Sequence, residues 1–227
     1  MNKITKSFIA LMCCTSVILT SSCTRTETQD PTSVTDIDGN VYPVIRVGNA
    51  LWMGENLRTT RYNDGTAIST GLSATDWAAN TSGAYILYDN DQANNTIYGK
   101  LYTWYAVSTD KLAPEGWHVA TSADYDNLVA ALGGGSVAGG KAKSTSSLWN
   151  SPNVGATNSS GYSGLPGGKA SYLGAGFTEQ GAAGYWWCRD ERNSGQADYK
   201  VLNDSFESFN GNAANKTFGF SVRCVRN

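Results

Sequence analysis

One histidine, His118, serves all 227 residues. Metal centres built on three imidazoles are excluded by that count alone, because each ligand position needs its own ring. Basic clusters are missing too: 17 Lys and Arg are scattered among 19 Asp and Glu, for a formal net charge of −2. A nucleic-acid partner, which needs a concentrated positive footprint, is not expected. No serine stands in a Gly-x-Ser-x-Gly elbow, so hydrolases of that type find no nucleophile here. Cysteine is absent from the middle of the chain; after Cys23 the next are Cys188 and Cys224. The apolar run at 8–20 has 13 residues, short of the ~20 that a bilayer-spanning helix requires.

That run does have a meaning. Lys3 and Lys6 precede it and the small pair Ser21-Ser22 follows, directly before Cys23. This is the charged, apolar and small-residue order of a secretory leader over residues 1–22, with Cys23 as the lipidated residue of a lipobox-like site. Leu19 stands one place further from the cysteine than that pattern prefers, with Thr20 between. Removal of the leader takes Cys13 and Cys14 with it and leaves 15 basic against 19 acidic residues, a net charge of −4. Residues 23–33 are Thr-rich and poor in bulky apolar side chains, so they are expected to form a flexible tether to a domain at 34–227.

Within 34–227 the pattern is that of an α+β domain rich in strands. Turn signals at Asp38-Gly39-Asn40 and Gly48-Asn49 separate short strands. Val41, Pro43, Ile45 and Val47 are expected to share one face, and Pro43, which cannot donate to a ladder, marks an edge strand. Tyr125, Leu128, Val129 and Leu132 recur at helical spacing, with Thr121 and Asp124 as a capping pair and Gly133 as the stop; a helix over about 122–132 follows. Fourteen of the 25 glycines fall between 133 and 184, which excludes regular helix there. Leu148, Trp149, Tyr162, Leu165, Tyr172 and Phe177 punctuate the stretch and predict a long ordered loop region pinned by aromatics. In "GFSVRCVRN", Phe218, Phe220, Val222 and Cys224 alternate onto one strand face, and in "YWWC" Cys188 shares a face with Trp186.

Five stretches, in order, carry a resemblance: "DIDGNVYPVIRVGNALWMGENLRTTRYNDGTAI", "YGKLYTWYAV", "LAPEGWHVATSADYDNLVAALGG", "AGGKAKSTSSLWNSPNVGATNSSGYSGLPGG" and "GYWWCRDE" with "GFSVRCVRN". Together they resemble the Fibrobacter succinogenes major paralogous domain over about 36–227. The resemblance implies a secreted or lipid-anchored domain of Bacteroidetes-type bacteria, often surface-exposed, with no established general activity. It also implies similarity to C-type-lectin-like and sulfatase-modifying-factor folds, through "GWHVATSADYDNL" and "GFSVRCV". The chain departs from the family at Cys188, where members resemble Trp-Ser-Ser.

Arg189 and Arg223 adjoin the two cysteines, as a reactive thiolate would want. An oxidising compartment and an apolar strand face instead favour a structural disulfide between Cys188 and Cys224, closing 35 intervening residues. His118, leading into the helix, is expected to be a hydrogen-bonded strand-end residue rather than a base. Asp89 and Asp91, in "YDNDQANN", offer hard oxygen ligands for calcium but lack EF-hand spacing; "SPN" at 151–153 has no acidic residue in front. Trp149, Asn150, Asn153, Tyr162, Trp186 and Trp187 combine aromatic faces with amides, which suits a sugar ring or a protein surface. The expectation is a lipid-anchored, surface-exposed outer-membrane protein with a non-catalytic domain for glycan or protein ligands. Its rivals are a fimbria-associated structural subunit and, less favoured, an enzyme.

Overall fold

The computed structural model describes residues 29–174 and 176–227, and Pro31–Asn227 pack as one compact unit. The leader at 1–22, Cys23 and the tether as far as residue 28 lie outside the described residues. The unit opens with strands β1 (Ser33–Thr35), β2 (Val41–Val47) and β3 (Ala50–Met53), so the first strand starts inside the segment expected to be tether. Helix α1 (Ala74–Ala79), β4 (Tyr85–Ile86), α2 (Gln92–Tyr98), β5 (Leu101–Tyr102), α3 (Trp104–Val107) and β6 (Trp117–Val119) follow. Next come α4 (Ser122–Ala131), α5 (Ala138–Ala142), β7 (Gly167–Ala170) and β8 (Phe177–Gln180). Strands β9 (Ala183–Glu191), β10 (Gln196–Asn203), β11 (Asn210–Asn215) and β12 (Cys224–Arg226) complete it.

One sheet has the order β1-β2-β3-β12-β6 and is antiparallel throughout. The second runs β11-β10-β9-β7-β8, with β7 and β9 parallel; β4 and β5 form a two-stranded pair. Residues 218–226 thread between the sheets. Phe220 bridges to Tyr102, Gly219 to Ala170 and Ser221 to Trp186 before the chain enters β12. Residues 219–225 of this segment are buried on both faces. Phe220, Val222 and Cys224 enter one core with Tyr42, Met53, Trp104 and Trp187, while Val225 enters a second with Trp52, Tyr125, Trp149 and Trp186. Strand β9 is divided in the same way, Tyr185 and Trp187 to the first core, Trp186 and Cys188 to the second. Strand alternation thus turns two chain segments into a shared wall between two cores.

The helix expected at 122–132 is α4. The Thr121 side chain accepts from the Asp124 amide while the Asp124 carboxylate accepts from the Thr121 amide, a complete capping box. Its buried Tyr125 and Leu128 join the second core. The alternation expected for β2 holds, but burial does not follow one face: Tyr42 and Val47, on opposite faces, are both buried, while Val41 is 56% exposed. Tyr42 is buried with its hydroxyl satisfied, donating to Asp36 Oδ2 at 2.6 Å and accepting from the Arg58 amide at 2.8 Å. Nor is β2 an edge strand, since β1 and β3 flank it. Pro43 is tolerated because its missing donor falls at the last rung toward β3, where the Gly54 amide still donates to Pro43 O at 2.7 Å.

The glycine-rich region is ordered, as expected, but the exclusion of helix there is corrected: α5 lies within it, as do β7 and β8, because its glycines allow close backbone contact. A Cβ on Gly139 would lie 2.3 Å from Ser208 O, and one on Gly140 2.4 Å from Gly155 O. Just beyond, the fully buried Lys143 donates from Nζ to Val154 O, Asn203 O and Phe206 O at 2.8, 2.9 and 2.9 Å. One ammonium therefore pins the loop after α5 to the β10–β11 connection.

Candidate functional site: a cleft over a buried arginine

The structure dismantles the expected aromatic platform. Trp149 is 5% exposed, and Tyr162, Trp186 and Trp187 are fully buried. Their polar atoms are used internally: Trp149 Nε1 donates to Gly164 O, Trp186 Nε1 to Asn56 Oδ1 and Trp187 Nε1 to Tyr102 O. Tyr162 and Trp186 meet edge to face, 5.8 Å between centroids. A glycine-rich shell offers little side-chain volume, so its aromatics fill the core instead of facing solvent. Asn150 is exposed and Asn153 half-buried on the neighbouring loop. The Asn150 amide donates to Gly181 O. Asn153 Nδ2 donates to Ser144 O, leaving Oδ1 buried without a partner. The six residues form no common surface.

Asp89 and Asp91 are not gathered into a ligand set either. The Asp91 carboxylate caps α2 through the Ala93 amide, and the side-chain oxygens of Asn94 and Asn95 accept from Gln180 and Lys100. Among the described residues no group of three or more His, Cys, Asp or Glu could hold a metal.

The disulfide expectation is corrected as well: Cys188 and Cys224 are free and buried. They belong to different cores. Trp186 lies opposite Ser221, which puts Cys188 in step with residue 223, one place off Cys224, and a one-residue offset sends a side chain to the other face. Ala120 also intervenes, accepting from the Arg189 amide and donating to Arg223 O. Burial pushes the Cys188 thiol up to about 12 and raises Cys224 further, so neither is a thiolate near neutrality.

His118 is hydrogen-bonded, as expected, but stands at the centre of the three-residue β6 rather than at a strand end. Its Nε2 meets Asp124 Oδ2 at 3.0 Å and its Nδ1 meets Asn227 Oδ1 at 2.7 Å. The hydrogen bond to Asp124 raises the imidazole pKa, against burial and the nearby Arg189. Burial works against the Asp124 carboxylate, yet hydrogen bonds from His118 and Thr121 hold it below its usual value. The pair therefore stabilises the fold most between these two limits. Its contribution fades as pH rises through the raised His118 pKa, and again as pH falls through the lowered Asp124 pKa. His118→Gln is expected to cost about 1 kcal/mol near pH 6, less at higher pH. Urea titrations of both proteins across that range check this; a pH-independent difference would refute it.

The feature that sequence reasoning missed is a cleft of about 410 Å³ between the β2–β3 sheet, α2 and the loop at 161–165. Ile45, Ile97 and Leu165 line its apolar side, Glu55 and Arg58 its rim, and Arg223 its floor. Glu55 and Arg58 pair with each other at 2.5 Å. Arg223 is 1% exposed. Its Nε donates to Asn56 Oδ1 at 2.7 Å, Nη1 to Met53 O and Tyr162 O at 2.9 Å each, and Nη2 to Ser163 O at 3.4 Å. The Tyr162 ring lies 4.4 Å from its guanidinium carbon. A signal for this was present in "SVRCV", where a charge stands on a strand that is otherwise apolar or small.

A two-sheet α+β domain, mostly β, with a both-faces-buried wall and a cleft over an arginine, is thus the class to which the molecule belongs. The family model for the Fibrobacter succinogenes major domain matches residues 45–226, and the chain belongs to that family. No curated protein matches the chain, and no solved structure does.

Proposed function

We propose that this protein is a lipid-anchored outer-membrane protein, exposed at the cell surface, whose C-type-lectin-like domain recognises a glycan or protein ligand without catalysis, in adhesion or nutrient capture. The observation that carries this reading is the cleft. It joins apolar walls to polar groups at a volume suited to ligands, while the groups that would do chemistry are engaged: both His118 nitrogens are bonded and both thiols are buried. The anchor rests on residues 1–23, and the role in recognition is not given by the fold itself. A glycan array probed with Pro31–Asn227, in calcium and then in chelator, tests it. Binding in both conditions, weakened by Ile97→Arg in the cleft, is the expected result. Silence in both would count against glycans.

A second reading, an assembly subunit, is favoured by β11. This edge strand, "NGNAAN", is largely exposed and has neither charge nor proline to discourage pairing with another strand. An array-silent protein that self-associates in sedimentation would support that role.

A further inference from the structure

The floor of the cleft carries a charge that the protein does not neutralise. Every acceptor around Arg223 is a neutral oxygen, and among the described residues no carboxylate pairs with it. Nη2 is the least engaged nitrogen, with one long bond to Ser163 O and an N–H left over. Burying a cation without a counter-charge is costly, and burial here depresses the guanidinium pKa. Glu55 at the rim acts on Arg223 from a distance but is itself paired with Arg58, so the cleft holds two guanidiniums against one carboxylate, with Arg223 beneath an apolar wall.

We propose that the cleft binds a small organic monocarboxylate, the acid group over Nη2 of Arg223 and the apolar side of the ligand against Ile45 and Ile97. This rests on the domain being a recognition module. A carboxylate oxygen can accept the one N–H left over on Nη2 in a charge-assisted bond. A dianion such as phosphate fits worse, because a single positive charge faces it and Glu55 stands exposed at the mouth. The volume suits a body the size of a sugar ring or an amino-acid residue. Two sources share this chemistry, a uronic acid and the terminal carboxylate of a peptide.

Galacturonate and N-acetyl-leucine, each beside its methyl ester, are the probes, read by NMR on the Arg223 Nε–H and the Gly99 and Ser163 amides. The acids are expected to shift these signals and the esters not, and the tighter acid identifies the source. Because Arg223 sits in the core and its replacement threatens folding, the variants are placed at the exposed rim. Glu55→Gln is expected to tighten acid binding about three- to fivefold, the size of an exposed charge effect, and Ile97→Glu to weaken it by at least as much. Equal shifts from acids and esters would overturn the carboxylate inference and leave recognition by the cleft standing. No shift at these sites from any probe would also overturn it. If the glycan array were silent as well, the recognition reading would fall with it.

Discussion

Asn56→Leu is expected to cost about 4 kcal/mol of stability, the largest loss from any single polar substitution in this domain. Leucine repeats the branched shape with bulkier methyl groups, so no cavity results. What is lost is a hub. Asn56 is 5% exposed; its Oδ1 accepts from Trp186 Nε1 at 2.9 Å and Arg223 Nε at 2.7 Å, and its Nδ2 donates to Tyr98 O at 2.8 Å and Ser221 Oγ at 3.3 Å. The substitution leaves an indole N–H and a guanidinium N–H without acceptors in the interior, and an unmet charged donor is the dearer of the two. For a domain of this size the loss corresponds to a fall in Tm of roughly 8–16 °C, measurable by circular dichroism with urea titration for the free energy. A loss under about 1 kcal/mol would mean that the network rearranges around the gap. Asn56→Asp gives a sharper contrast. It supplies Arg223 with a counter-charge while removing the donors to Tyr98 and Ser221, so it should be milder than leucine yet weaken carboxylate binding.

Lys143→Met ranks second, at about 3 kcal/mol. Methionine keeps most of the length of the side chain and removes the cost of burying an ammonium, which burial already draws below the usual lysine pKa. Against that gain, the three carbonyls of Val154, Asn203 and Phe206 lose their donor together, and the cation 5.6 Å from the Trp149 ring is gone. The carbonyls belong to two separate connections, so the damage should be regional. Hydrogen exchange is expected to accelerate at 144–160 and 203–208 while α4 stays protected. Uniform acceleration, or none, would contradict the role of a pin.

What the sequence made legible was local. The capping box at Thr121 and Asp124 and the apolar stripe from Tyr125 to Leu132 specify α4 without reference to the rest of the chain, and the alternation of Phe218, Phe220, Val222 and Cys224 specifies one face of the wall. Failure came where the choice depended on a distant partner. Strand β2 buries Tyr42 on one face and Val47 on the other, and the burial of Tyr42 rests on its hydroxyl meeting Asp36 and Arg58. Cys188 and Cys224 each lie on a buried strand face, but a disulfide needs them on the same side of the wall, and that depends on a register between segments remote in sequence. The aromatics beside glycine and asparagine looked like a surface because nothing local says which way a tryptophan turns. The cleft was hidden for the same reason: its floor comes from residue 223, its rim from 55 and 58 and its lid side from 97. Only Arg223, a charge amid apolar neighbours, hinted at it.

The shared wall has a consequence for the order of events in synthesis. Residues 218–226 emerge from the ribosome after nearly everything they separate, yet both cores need them: Phe220 to meet Tyr102, Arg223 to hold Met53 and Tyr162, Val225 to face Trp52. Until that segment appears, the first sheet is split, with β3 waiting for a neighbour that has not been made. Contacts spanning most of the chain close slowly, because the loop entropy must be met before they reward it. Folding is therefore deferred until residues 218–226 have been made, and the chain ahead of them stays threadable until then. For a protein proposed to cross a membrane before it folds, that delay is an advantage written into its topology.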